Sequence, residues 1–204
     1  NTVSSFSIFT LGSTSAVANP LSVKFTNVKA YTSGSRNSIE WTNLSEAGVF
    51  NYTVEKSTDG VQFTTLTEVA ARSNASTREG YMQQDGQPAE KTYYRIKATE
   101  LSGEISYSPV VKVLRGETGT ASFSIYPNPV TGKQFTLQYK GQPRENFRLQ
   151  VLNNTGQVVY TQQWIHPGGQ AAQSVELPAN LSKGMYYLQL SGESRTENKP
   201  LVLQ

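Results

Sequence analysis

The sequence contains no cysteine and only one histidine, His166. The lack of cysteine excludes disulfide bonds, thiolate metal sites and Cys–His catalysis. A Ser–His–Asp arrangement would need His166, which precedes Pro167-Gly-Gly169 and is therefore predicted to lie in a surface loop. Both Asp residues, Asp59 and Asp85, lie in the first half of the chain, so the second half has no acidic calcium loop. We expect no enzyme activity, metal site or cofactor.

Charge and long apolar runs are also scarce. Charged residues make up 16% of the 204 residues, too few for a disordered polyelectrolyte, and the basic ones are scattered rather than clustered as nucleic-acid binding requires. No run approaches the ~20 apolar residues that a transmembrane segment needs. There is no signal-peptide pattern, and Asn1 is not an initiator Met. Residues 1–19 are therefore expected to be the tail of a missing upstream domain.

Aromatic residues are plentiful: eleven Tyr, eight Phe and two Trp can fill apolar cores. The remaining composition is rich in Ser, Thr, Asn and Gln, as expected of short strands whose outer faces meet water. Alternating apolar and polar residues, with turn signals every 8–12 residues, predict about seven strands in residues 20–114 and seven more in residues 123–204. The expected fold is all-β, with two small antiparallel, immunoglobulin-like β-sandwiches in tandem. Residues 115–122 are polar and contain glycine, and are predicted to be a short linker.

Three details of the strand prediction can be checked directly. Phe50, Tyr52 and Val54 are expected to share one inward face of the third strand. The segment Ile105–Val113 is expected to be a single strand. Only a short strand is expected around Val175 and Leu177.

The first sandwich resembles the fibronectin type III-like module of exported bacterial proteins. The features that resemble it are Leu21-Ser-Val23, Ile39-Glu-Trp41 with Glu46, Val54–Gly60, Thr92–Ile96 and Gly103–Ser108. Trp41 and Tyr94 are placed like the core aromatics of that module. Glu46 is expected to form hydrogen bonds in the loop after the second strand rather than to act as a catalytic carboxylate.

The second sandwich resembles the C-terminal sorting domain of type IX (Por) secretion cargo. The resemblance follows the order of several short motifs: Tyr126-Pro-Asn-Pro129 with Gly132, Phe135-Thr-Leu137, Leu152–Val159, Val175-Glu-Leu177, Leu181–Leu188, and Lys199 before Leu201-Val-Leu203. Pro200 departs from the uninterrupted basic-aliphatic pattern of that last strand. An edge strand would tolerate the missing backbone donor.

The resemblance implies that the tail is a secretion signal of an exported protein, with the first module as a spacer. Such domains pass through the periplasm and are recognised by an outer-membrane translocon. A cell-surface sortase-like protease then removes them and joins the cargo to an anionic lipopolysaccharide. The expected location is therefore secreted or on the cell surface.

Recognition is expected at the last hairpin, where an unpaired final strand could accept a partner strand by β-addition. The residues assigned to recognition are Gly184, Tyr186, Lys199, Leu201 and Val202. Cleavage is expected in the linker at Gly119, Thr120, Ala121 and Ser122, where small side chains suit a protease groove.

The alternative is a carbohydrate-binding or adhesin-type module, since β-sandwiches often bind sugars through exposed aromatic residues. The candidates for such a surface are Trp164, Tyr160, Tyr187 and Tyr31. Outward aromatic residues on sandwiches are also common without any ligand.

Overall fold

The computed structural model describes residues 23–73, 75–116, 121–142, 144–193 and 195–204. All regular structure in these ranges is β, and no helix in them is long and apolar enough to span a membrane. The predicted tail at residues 1–19 lies outside the described residues. The strands are β1 (Phe25–Ser33), β2 (Arg36–Asn43), β3 (Val49–Ser57), β4 (Thr64–Ala70), β5 (Glu79–Asp85), β6 (Lys91–Glu100), β7 (Ile105–Tyr107), β8 (Val111–Leu114), β9 (Ser122–Tyr126), β10 (Gln134–Gln142), β11 (Glu145–Leu152), β12 (Val158–His166), β13 (Gly169–Glu176), β14 (Gly184–Ser191) and β15 (Thr196–Leu203).

The first sandwich packs β5, β2 and β1 against β4, β3 and β6, with β7 and β8 both pairing with β6. Three strands against a larger sheet is the arrangement expected of a fibronectin type III-like module. Trp41 and Tyr94 are both buried in its core, as predicted. Trp41 stacks on Tyr81, with ring centroids 5.0 Å apart, and meets Tyr52 edge to face.

Two strand predictions in the first sandwich are wrong. Phe50 is 61% exposed, because a register shift between Val49 and Asn51 puts Val49 rather than Phe50 on the inward face with Tyr52. The segment from Ile105 to Val113 is two strands, β7 and β8, rather than one. Pro109 lies in the break between them, where the missing N–H interrupts ladder pairing.

The second sandwich packs β9, β10 and β13 against the four-stranded sheet β12-β11-β14-β15. Its core is built from inward-facing residues of both sheets, among them Phe135, Leu137, Phe147, Leu188 and Leu201. All pairings between named strands in both sandwiches are antiparallel, which confirms the predicted fold class.

The two sandwiches share one sheet. Its six strands run in the order β5-β2-β1-β13-β10-β9, so the first half belongs to one sandwich and the second half to the other. Ala30 and Ala172 lie opposite each other and both face the first core. Their neighbours Tyr31 and Ala171 face the second core. Because side chains alternate along a strand, the two outer sheets therefore cover opposite faces of the shared sheet.

Strand β13 is longer than predicted. It covers eight residues, from Gly169 to Glu176, whereas the sequence indicated a short strand around Val175 and Leu177. It lies between β1 and β10 in the interior of the shared sheet, and most of its residues are buried.

Candidate recognition site

The last hairpin is formed by β14 and β15, which pair without a register shift from Gly184 opposite Leu203 to Ser191 opposite Thr196. β14 lies inside its sheet between β11 and β15, whereas β15 is the edge strand. The hairpin thus presents an outer face and an outer edge.

Two of the predicted recognition residues shape the entry to this hairpin. Gly184 has a φ of +148°, a backbone conformation that favours glycine, and a side chain there would meet no neighbouring atom within 4 Å. The glycine is therefore required by the backbone rather than by close packing. The Tyr186 hydroxyl donates a hydrogen bond to the backbone oxygen of Ser182 at 2.9 Å. This is the geometry of a tyrosine corner, which fixes the chain as it enters a sandwich strand.

The other three residues alternate along β15 and do not form one face. Leu201 is completely buried in the second core. Lys199 is on the same side of the strand, where its ammonium lies 5.4 Å from the ring centroid of Phe123 and 3.2 Å from a carboxylate oxygen of Glu197. Val202 lies on the opposite, outer side. The single contact face expected from Lys199, Leu201 and Val202 is not present.

The outer face of the hairpin carries two residues that the sequence did not assign to recognition: Met185 had no predicted role, and Tyr187 was a candidate only for sugar binding. Met185 is 56% exposed and lies opposite Val202; Tyr187 is 47% exposed and lies opposite Pro200. Leu152 of β11 lies opposite Tyr187 on its other side. These five residues form an apolar patch that we call the hairpin face. The alternation of Met185, Tyr186 and Tyr187 was the signal that could have identified it.

The outer edge of β15 is partly covered by the segment that follows β9. The Asn128 amide donates to the backbone oxygen of Pro200 at 2.9 Å and accepts from the backbone N–H of Val202 at 3.0 Å. Val130 then donates to the oxygen of Val202 at 2.7 Å and accepts from the N–H of Gln204 at 2.9 Å. We call Asn128 and Val130 the clasp. An unpaired last strand was expected, and this is wrong for Pro200–Gln204.

Pro200 lies at an outward-pointing position of the edge strand. The backbone oxygen of Pro200 and both backbone groups of Val202 form hydrogen bonds with the clasp. The backbone groups of these two residues therefore point away from β14. The N–H that proline lacks would have pointed outward as well, and the β14–β15 ladder loses no bond. The edge strand therefore tolerates Pro200, as predicted.

Part of the predicted cleavage region is held in the fold. Ser122 begins β9, and its oxygen accepts a hydrogen bond from the Gln142 side chain at 2.9 Å. The oxygen of Ala121 accepts from the Arg195 guanidinium. Gly119 and Thr120 lie outside the described residues.

The aromatic residues proposed for sugar binding do not form one exposed surface. Trp164 is only 9% exposed and packs on Tyr139 with ring centroids 4.9 Å apart, so its expected exposure is wrong. Tyr31 is partly buried and donates to a Glu40 oxygen at 2.5 Å; burial first, and then this hydrogen bond, raise the pKa of Tyr31 to about 12. Tyr160 is also partly buried, and only Tyr187 is exposed.

His166 is buried rather than in a surface loop. It ends β12, is fully enclosed by Tyr139, Phe147 and Trp164, and accepts a hydrogen bond from the N–H of Gly168 at Nδ1. The tight turn at Pro167-Gly168 returns the chain directly into β13, so no loop projects there.

Glu46 lies after β2 and forms hydrogen bonds there, as expected. It is completely buried and accepts hydrogen bonds from the backbone N–H groups of Arg72 and Ser73 and from the Tyr81 hydroxyl. Within the ranges that the structure describes, no group of His, Cys, Asp or Glu residues is arranged to hold a metal ion.

Comparison with known proteins supports the assignment of the second sandwich. Residues 124–204 match the family model of the secretion system C-terminal sorting domain. No curated protein matches the chain. Among solved structures, a two fibronectin type-III domain segment from chicken tenascin is similar with 12% identity and a TM-score of 0.31, over 88% of this chain and 97% of that one. The BSP domain of a biofilm associated protein is similar with 14% identity and a TM-score of 0.35; the match covers 88% of this chain and 29% of that one.

Proposed function

Because residues 124–204 are a secretion system C-terminal sorting domain, the chain carries the secretion signal of an exported protein, and we propose that its last hairpin is the element read by an outer-membrane type IX translocon. The family match carries this proposal. The first sandwich serves as a spacer and support for the signal. A cell-surface sortase-like protease then removes the domain and joins the cargo to an anionic lipopolysaccharide.

In this proposal the recognition residues have two kinds of role. Gly184, Tyr186 and Leu201 build the hairpin through backbone conformation, the bond to Ser182 and core packing. Lys199 and Val202 contact the translocon from different sides of β15. An exposed apolar surface beside polar ones is a common feature of protein interfaces, which supports adding Met185 and Tyr187 to the contact.

A double variant of exposed residues tests the hairpin face without removing core residues. Met185→Ser with Tyr187→Ser, placed in a complete cargo protein, is expected to leave that protein in the periplasm. The matched control is Ile165→Ser, because Ile165 is 66% exposed on another strand of the same sheet. Fractionation and immunoblotting measure the distribution. Normal export of the double variant would restrict recognition to other parts of the hairpin.

Deleting Gly184–Gln204 tests the whole signal. This deletion removes β14 and β15, including the buried Leu188 and Leu201, so it disrupts both the hairpin and the core. Retention in the periplasm is expected. Export of the truncated cargo at the normal level would contradict a signal in this hairpin.

The cut is proposed on the N-terminal side of Ala121, at Gly119-Thr120. A protease needs several residues of extended, free backbone, and the oxygens of Ala121 and Ser122 are engaged by Arg195 and Gln142. Mass spectrometry of the released domain should find an N-terminus at Thr120 or Ala121. A terminus inside β9 or β10 would contradict this position.

A further inference from the structure

The edge of the sorting domain's β13 is covered by a strand of the other sandwich. β1 runs antiparallel to it, with Lys29, Ala30 and Tyr31 opposite Gln173, Ala172 and Ala171. Without β1, β13 would present unpaired backbone groups at the edge of its sheet, a surface prone to pair with other chains. The first sandwich therefore completes the sheet of the second.

Side chains interlock across this junction. Ala172 belongs to the sorting domain but is completely buried in the core of the first sandwich. Tyr31 belongs to the first sandwich but packs against the core of the second. Each sandwich thus contributes one side chain to the apolar core of the other. Separating the two sandwiches would expose Ala172 and Tyr31 to water.

A bulge in β1 is also satisfied across the junction. The pairing of β1 with β2 shifts between Thr26 and Lys29, and Asn27 adopts a φ of +51° there. The N–H of Val28, which follows, donates to the Ser174 hydroxyl at 3.0 Å in a buried position. A bulged strand leaves an extra backbone group unpaired, and here the other sandwich supplies its partner.

Polar contacts extend the junction beyond the three paired residues. The Lys24 ammonium lies 2.7 Å from a Glu176 oxygen, although both side chains are partly exposed, which weakens this ion pair. The Gln162 amide donates to the Asn27 side-chain oxygen at 2.9 Å. Backbone pairing, two apolar insertions and these bonds all join the sandwiches independently of residues 117–120.

We infer that β1 is a docking strand for the sorting domain, and that a chain cut in the linker stays together as a noncovalent complex through β1 and β13. The interaction surface is the β13 edge, and its partner is the first sandwich of the same chain. A cut alone would therefore not release the tail; the β1–β13 junction must also open. This inference does not depend on recognition by a translocon.

Cutting the linker of the complete folded chain tests whether β1 and β13 hold the two pieces together. A protease recognition sequence replaces residues 117–120, the folded protein is cut, and a denaturing gel verifies complete cleavage. The two pieces are expected to elute together from a size-exclusion column, at the volume of the uncut chain and with its circular dichroism. Separate elution of the pieces, folded or not, would overturn the inference.

Two matched serine variants test whether the pairing of β1 with β13 sets the affinity between the two pieces of the nicked chain. Ser174→Ala removes the acceptor of the Val28 N–H across the junction. Ser108→Ala removes an equivalent buried acceptor, that of the Ile96 N–H at 2.9 Å, entirely within the first sandwich. In the nicked protein, Ser174→Ala should raise the dissociation constant about tenfold, and Ser108→Ala should leave it unchanged.

Melting curves of both uncut variants verify that each chain folds. Equal dissociation constants for Ser174→Ala and the parent would contradict docking through this strand pair. A rise with Ser108→Ala as large as that with Ser174→Ala would show that general destabilisation, rather than the junction, sets the affinity.

Discussion

Removing the Asn128 side chain should open the outer edge of β15. Asn128→Ala deletes two hydrogen bonds, the one donated to the Pro200 oxygen and the one accepted from the Val202 N–H. Both bonds are exposed, so water replaces the lost partners and each contributes near the low end of its range, about 0.5 kcal/mol. The expected cost is therefore about 1 kcal/mol, which corresponds to an increase of about fivefold in local opening.

Hydrogen exchange measures this opening residue by residue. The amides of Val202 and Gln204 are held by Asn128 and Val130, so both should exchange about fivefold faster in Asn128→Ala. Amides of β14 that pair inside the sheet should not change. Asn198→Ala is the control, because Asn198 is exposed on the same strand and its side chain has no hydrogen bond among the described residues.

The result that would refute this reasoning is unchanged exchange at Val202. It would mean that Asn128 does not hold the edge and that Val130 alone forms the clasp. A global loss of protection throughout the second sandwich would also contradict it, because the structure assigns Asn128 only edge contacts.

Three further perturbations have expected outcomes. Tyr186→Phe removes the bond to Ser182 and should lower the free energy of unfolding by about 1 kcal/mol in urea titrations; an unchanged midpoint would argue against the tyrosine corner. Gly184→Ala should lower it by about 1 kcal/mol through backbone conformation alone, because a side chain there meets no atom within 4 Å; an equal or higher melting temperature would contradict this. The N–H of Val61 and other donors lower the pKa of Asp59 to about 2, so its contribution to stability is present above pH 4 and disappears as the pH falls towards 2. Asp59→Asn should therefore melt at a lower temperature than the parent at pH 5, and the two melting temperatures should approach each other at pH 2. A difference that stays constant with pH would mean that ionisation of Asp59 is not its cause.

Strand β13 shows why the sequence predicted the two sandwiches but not their junction. The segment from Gln170 to Ser174 has no apolar alternation, so it gave no strand signal. In the structure its two faces pack against different cores, with Ala171 in the second and Ala172 in the first. A strand that packs against two cores has no face exposed to solvent. A pattern based on one inner and one outer face cannot detect it.

For the candidate site, the sequence predicted the hairpin but not the clasp. Alternation in β14 and β15 indicates a hairpin, and the order of motifs indicates the family. The clasp was not predicted, because it joins Asn128 to Val202 across 74 residues and leaves no local pattern. Asn128 lies between two prolines, which from sequence alone indicates only a turn.

The clasp and Pro200 together restrict how a partner can bind the last strand. Pro200 has no outward N–H, and the outward groups from its oxygen to the N–H of Gln204 are already bonded to Asn128 and Val130. A strand added along this part of β15 would have to displace the clasp and would still find no donor at Pro200. The hairpin face of Met185, Tyr187 and their neighbours requires no such displacement. We therefore propose recognition through the hairpin face rather than by edge pairing. Asn128→Ala should leave export unchanged, and a change in export would contradict this proposal.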